Sequence, residues 1–286
     1  MNSFRAFVSD HARLLRRGRK LSPRRLPKSA RQPRVPSGAP KVLIFSPHPD
    51  DECIVGGLAL RLLRESTWDV INVAVTLGSK KGRRAGRLRE LRNACALLGF
   101  GLMAPREQGL GQITLKSRKQ ERARWRAAVK VIAGILAEQR PRVIFVPHAN
   151  DGHPVHVGTH FLVLDALKTL PVSFQCCVVE TEFWGQMTSP NLLIELDVDD
   201  VASLVAALAC HAGEVRRNPY HARLPAWLMD NVRRGAELVG GQGGAAPDFT
   251  FGTIYRLQRW ARGRLTRLQS GQRFLPRTVN AGRYLE

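Results

Sequence analysis

The chain has 286 residues, 44% of them hydrophobic and 24% charged, which is enough to bury one large core or two modest ones. No stretch of eighteen uncharged apolar residues occurs, so no spanning helix is expected; Arg13, Arg16 and Arg17 hem in Leu14 and Leu15 where a secretory signal needs an apolar core, and a cytoplasmic location is the expectation. The formal charge of +22 attracts nucleic acid, anionic membrane or anionic substrate without choosing among them, and five cysteines with no C-x-x-C spacing argue against both a disulfide framework and a cysteine-based zinc site.

Residues 1–40 hold eleven Lys and Arg against one acid, Asp10, yet the remainder still carries 34 basic and 22 acidic residues, so the excess is global. Residues 3–19 have the pattern of a short basic helix, after which Pro23, Pro27, Pro33, Pro36 and Pro40 forbid regular structure. This segment is read as a disordered arm and linker, with peripheral contact at the inner face of an anionic membrane as its second reading and nucleic acid as the least favoured partner.

The apolar run Val42-Leu43-Ile44-Phe45 predicts a buried strand over 42–46. A helix over 55–65, a strand over 69–76, a helix from Arg87 to Leu98 stopped by Gly99, and a helix over 120–138 follow. Then come an apolar strand at Val143–Val146, a helix over 157–169 and a strand over 174–181. Strands apolar on both faces, alternating with helices, imply a mainly parallel sheet covered on each side, a Rossmann-like α/β three-layer sandwich. Beyond it, helices are predicted over 199–210 and 225–238, Phe249–Tyr255 alternates like a strand, and the Arg-rich tail from Arg256 spaces Leu257, Trp260, Leu265 and Leu268 roughly as a helix would.

Loops at the carboxyl ends of parallel strands converge on the binding crevice. Two clusters occupy such positions: His48-Pro49-Asp50-Asp51-Glu52 after the first strand, and His148, Asp151, His153, His156 and His160 after the strand at 143–147. A hydrolytic zinc ion needs about three protein ligands and an open position where bound water becomes acidic near pH 7. His48, Asp51 and one histidine of the second cluster meet that need, leaving Asp50 to take a proton and a second histidine to steady an oxyanion. The competing reading is that the carboxylates cap the following helix and the histidines pack. His160, His211 and His221 have ordinary packing roles as their simpler reading. Thr76–Ser79 and Glu180–Trp184 also follow strands and line the same crevice or pack at strand ends, while Lys80, Lys81, Arg83 and Arg84 bind a phosphate or form a solvated loop.

With its Pro-His-Pro-Asp-Asp-Glu turn, Asp151-x-His153-Pro154-x-His156 and Arg87-x-x-Glu90-Leu91, the chain resembles the PIG-L family of zinc-dependent de-N-acetylases over roughly residues 41–215. The resemblance implies that His48, Asp51 and His156 ligate one Zn2+, that Asp50 is the general base and that His153 faces the tetrahedral intermediate. It divides the chain into an arm at 1–40, a deacetylase-like domain at 41–255 and a tail at 256–286. Val155 stands where the family commonly has an aspartate, which removes the carboxylate that would orient His153 and leaves Asp151 or Asp165 to stand in. The function implied is a metal-dependent amidohydrolase that removes an acetyl or other small acyl group from the amino sugar of a glycoconjugate, anionic or lipid-linked given the charge. The alternative, drawn from Val155 and the charge, is a basic protein binding nucleic acid or anionic membrane on a degenerate hydrolase scaffold.

Overall fold

Val42 and Ile44 project to one side of their strand and Leu43 and Phe45 to the other, and all four are buried, so this strand must be covered on both faces. The computed structural model describes residues 2–21, 32–268 and 273–286. Among the described residues it places the strand, β1 (Lys41–Ser46), inside a nine-stranded sheet, third from one edge. Parallel neighbours are β2 (Asp69–Ala74) on one side and β4 (Val143–Pro147) on the other; β3 (Gly101–Met103) extends the sheet beyond β2, and β5 (Cys176–Thr181) beyond β4. The chain winds outward from β1 through β2 to β3 and then returns to β4, so the direction of winding reverses between β1 and β4. The carboxyl ends of those two strands form the crevice that such a reversal opens.

One face is covered by α3 (Gly57–Ser66), α4 (Arg84–Leu98), α8 (Val198–Ala209) and α10 (Tyr220–Leu238), the other by α6 (Arg122–Gln139) and α7 (Pro154–Leu167). The helix expected over 55–65 is α3, which begins two residues later, at Gly57; the separate single turn α2 (Asp51–Ile54) precedes it. A short α5 (Leu115–Gln120), with a Thr114–Ser117 capping box, precedes α6. α7 starts three residues earlier than its apolar pattern suggests, since His153 caps it and Pro154 takes the first helical position, where its missing N–H costs nothing.

The helical spacing read in the C-terminal tail is not realised. β7 (Phe251–Ala261) runs antiparallel between β5 and β6 (Leu192–Leu196), turns through Arg262 and Gly263, and pairs with β8 (Arg264–Arg267). A separation of three residues puts Leu257 and Trp260 on opposite faces of a strand, and each joins a different core. β9 (Phe274–Leu275) pairs with β6, and α11 (Ala281–Leu285) packs on α3.

The helical pattern of residues 3–19 in the basic arm, otherwise read as a disordered tail, is realised as α1 (Ser3–Gly18), whose end meets α10 where Gly18 abuts Ala222. Pro23 and Pro27 of the linker lie outside the described residues. No helix among the described residues is long and apolar enough to cross a membrane, and all five cysteines are unpaired thiols.

Candidate active site

The acidic turn leaves β1 at Ser46 and bends sharply. Asp50 takes φ 114°, a left-handed conformation that strains any residue with a Cβ. Neighbouring carboxylates hold it there. Glu52 Oε2 accepts from the Asp50 N–H at 2.9 Å and Asp51 Oδ2 accepts from the His48 N–H at 2.7 Å, while Arg87, from α4, donates to the Pro49 carbonyl at 3.1 Å. The carboxylates therefore shape their own turn, and neither α2 nor α3 has a side-chain cap at its start.

From β4 comes the partner loop. Asp151, wholly buried, accepts at Oδ2 from the N–H groups of Phe183 and Trp184 and faces His156 Nδ1 with Oδ1 at 3.0 Å. That contact turns His156 Nε2 toward the acidic turn, where it lies 3.2 Å from His48 Nδ1 and 3.5 Å from Asp51 Oδ2; His48 Nδ1 is 3.8 Å from the same oxygen. Donors of a tetrahedral ion bound at about 2.0–2.2 Å stand roughly 3.3–3.6 Å apart, so this N, N, O triangle fits one divalent ion of zinc's preference. Asp51 Oδ1 is buried with no hydrogen-bond partner, and the side of the Asp151 carboxylate on His156 is the support that ligating histidines use. His153 adds a third imidazole, with donor atoms of His48, His153 and His156 all within 4.8 Å of one another.

Burial works against charge throughout. It drives His48 well below an ordinary imidazole, helped by His156 and His153, and lowers His153, where His156 adds to it and Asp151 opposes. Burial pulls His156 down too, but Asp51 and Asp151 outweigh it and the net shift is upward. Asp51 is pushed up to about 6, chiefly by burial, with His156 opposing. Asp50 is raised well above the usual carboxylate range by burial and then by Asp51 and Glu52, against the pull of Arg87. A cation set among these groups would reverse the balance, holding the carboxylates as anions and the imidazoles as neutral ligands.

The structure thus brings His48, Asp50, Asp51, His153 and His156 together, and three of them, His48, Asp50 and His153, line a cleft of about 920 Å3. Neither carboxylate proposed to replace the one missing at Val155 makes a hydrogen bond to His153. Asp151 is spent on His156, and Asp165 is bound by Arg118 and Trp125. His153 Nδ1 accepts from the Val155 N–H at 3.3 Å, so in the neutral ring the proton sits on Nε2. His160 bonds to the Pro147 carbonyl and His148 to that of Gly185, so both are structural.

Sequence reading gave His211 a packing role, but its Nε2 lies 2.8 Å from Glu52 Oε1, one residue from the turn's metal-facing carboxylate. Phe183, Trp184, Glu214, Arg217 and Tyr220 also line the cleft. Only the first two carried a signal, their position after β5; the others arrive from α9 (Ala212–Arg217) and α10, whose approach nothing local in the sequence announces.

Residues 43–167 match the family described as PIG-L: GlcNAc-PI de-N-acetylase. Among curated proteins, the 1D-myo-inositol 2-acetamido-2-deoxy-alpha-D-glucopyranoside deacetylase of Thermomonospora curvata is 32% identical over 153 residues, covering 44% of this chain and 52% of that protein. The chain spans about half the length of the curated relatives it matches. Among solved structures, N,N'-diacetylchitobiose deacetylase from Pyrococcus horikoshii superposes with a TM-score of 0.55 at 19% identity, over 77% of this chain and 84% of that one. GalB, the 4-carboxy-2-hydroxymuconate hydratase of Pseudomonas putida, does so with a TM-score of 0.57 at 16% identity, over 82% and 99%. At such identities these two likenesses speak for the fold alone. None of the comparisons supports the alternative of a basic binding protein on a degenerate scaffold.

Proposed function

From the PIG-L family domain that this chain carries over residues 43–167, we propose that the protein is a zinc-dependent amidohydrolase removing an acetyl or other small acyl group from the amino sugar of a glycoconjugate. The observation that carries this reading is the triangle of His48 Nδ1, His156 Nε2 and Asp51 Oδ2 beside an Asp50 that opens on the cleft. His48, Asp51 and His156 would hold the ion. Bound there, a divalent cation supplies Lewis acidity, polarising the amide carbonyl and making an attacking water more acidic.

The remaining chemistry belongs to side chains. Asp50, as carboxylate, takes a proton from the water as its oxygen adds to the carbonyl carbon. His153, with its proton on Nε2, donates toward the carbonyl oxygen as negative charge gathers there. The C–N bond then breaks, the proton held by Asp50 passes to the departing nitrogen, and the free amine and the carboxylic acid leave. This route uses His153 as a neutral donor, which suits an imidazole lowered by burial and lacking its own carboxylate. The comparisons lend no support to a lipid-linked substrate or to membrane contact.

Metal analysis of the purified protein joined to an acetate-release assay on N-acetylglucosaminyl conjugates tests the proposal. We expect about one divalent ion per chain, lost in His48→Ala, and an Asp50→Asn variant that keeps the ion while losing roughly 10²–10⁴-fold in kcat. A wild type without stoichiometric metal, or an Asp50→Asn variant of undiminished activity, would overturn it.

A further inference from the structure

The cleft above the site is far more basic than amide hydrolysis requires. Eight Lys and Arg side chains line it against two carboxylates, Asp50 and Glu214. Glu214 is already shared by Arg83, Arg87 and Arg217. Lys80, Lys81, Arg84 and Arg106 have no carboxylate partner among the described residues; Arg84 is tied by Nε to the Gly78 carbonyl at 3.0 Å, which leaves the other end of its guanidinium to face the cleft. Unpaired cations gathered in one concavity focus a positive field and favour a polyanion there.

Sheet order says where that anion sits. The loops that follow β2, β1, β4 and β5 stand in that spatial order, so the basic loop after β2 flanks the reaction centre on one side and Trp184, after β5, on the other. Trp184 is about half exposed and stacks near-parallel on His153, with ring centroids 5.6 Å apart. An exposed indole face of this kind suits the apolar face of a sugar ring.

We propose that Lys80, Lys81, Arg84 and Arg106 form an anion subsite, and that the substrate is an N-acylated amino sugar carrying at least two negative charges as a phosphate monoester or diphosphate on the side away from Trp184. This rests on the amidohydrolase reading for its chemistry but not for its binding. Guanidinium and ammonium groups meet phosphate oxygens by charge-assisted hydrogen bonds that a neutral glycoside cannot return.

The test compares methyl N-acetylglucosaminide, N-acetylglucosamine 1-phosphate and a nucleoside diphosphate N-acetylglucosamine as substrates of the metal-loaded full chain. We expect kcat/KM to favour one or both phosphorylated sugars by at least about ten-fold, and this ratio to fall toward one in about 0.5 M salt and in Lys80→Gln/Lys81→Gln/Arg84→Gln. Arg122→Ala/Arg126→Ala removes two exposed charges of α6 outside the cleft and should leave the ratio untouched. Preference for the diphosphate over the monophosphate identifies a diphosphate-linked substrate, and the reverse identifies a simple phosphate ester. Equal kcat/KM for neutral and phosphorylated sugars, or a preference that survives the triple substitution, would overturn the subsite. If no sugar is turned over, the amidohydrolase reading fails and calorimetry with the deacylated sugars decides the subsite alone. Glucosamine 1-phosphate binding at least about ten-fold more tightly than methyl glucosaminide supports it, and equal binding overturns it.

Discussion

Glu52 is wholly buried, and its carboxylate does three things at once. It accepts from the strained Asp50 N–H, accepts a hydrogen bond from the Cys53 thiol at 3.1 Å, and faces His211 at 2.8 Å. Burial alone would raise its pKa, yet the nearby His211 and these hydrogen bonds bring it below the usual glutamate value. Removing one partner of such a pair leaves a buried charge uncompensated, so His211→Ala should lower stability by about 3–5 kcal/mol in urea unfolding at neutral pH. A destabilisation under about 1 kcal/mol would show that Glu52 is sustained by the turn alone. The residue-scale lesson concerns sequence distance. His48, Asp50, Asp51 and Glu52 were legible because they crowd one turn after one strand, and His153 and His156 because they follow another. His211 lies 159 residues from Glu52, and nothing beside it marks it as the turn's support.

Helices on the far face of the sheet are joined by one carboxylate. Asp165 of α7 accepts both from Arg118 of α5, at 2.8 Å on each oxygen, and from the indole N–H of Trp125 of α6 at 2.9 Å. Burial tends to raise the Asp165 pKa, but the Arg118 hydrogen bonds and then Trp125 outweigh it, and the folded value lies below the unfolded one. A carboxyl group depressed on folding stabilises fully above its unfolded pKa, about 3.9, and that contribution disappears as pH falls through the lower folded value. Asp165→Asn should therefore cost about 1–2 kcal/mol at pH 7, and the gap from wild type should close with acidification below about pH 4. A gap independent of pH across unfolding curves would assign the effect to packing. Because α7 also carries His156, this brace helps hold the second half of the site in place. Periodicity showed that α6 and α7 exist but not the short α5. It missed where α7 begins, since that start is fixed by His153 and Pro154, polar and imino positions outside any apolar stripe, and it placed the start of α3 two residues early, because the apolar Val55 continues the stripe before Gly56.

The C-terminal segment looked separable because its Arg-rich composition gives no strand alternation and its apolar residues fall at helical spacing. The molecule instead closes through it, and a single side chain does much of the closing. Arg61 of α3 has no exposed surface, and its five N–H groups are all used: Nε on Glu65, Nη1 on the carbonyls of Glu195 and Leu275, and Nη2 on those of Pro276 and Val279. Glu65 in turn accepts from Arg277 and from the Ala281 N–H. Between Leu60 and Leu62, this arginine reads in the sequence as the polar face of an amphipathic helix, whereas it anchors β6, β9 and the approach to α11 onto α3. Arg61→Met keeps the stem and removes every donor, leaving four carbonyls and the Glu65 carboxylate short of a partner. Its cost should be at least about 3–5 kcal/mol, the range for breaking a buried charged network. Limited proteolysis gives a sharper readout than stability alone: if Arg61 is the anchor, the variant should be cut first within 273–286 under conditions where wild type resists, while an Arg283→Met control, whose exposed side chain holds nothing in the core, should be cut no faster than wild type. Equal resistance of the Arg61 variant would mean that β9 pairing and α11 packing hold the segment without it.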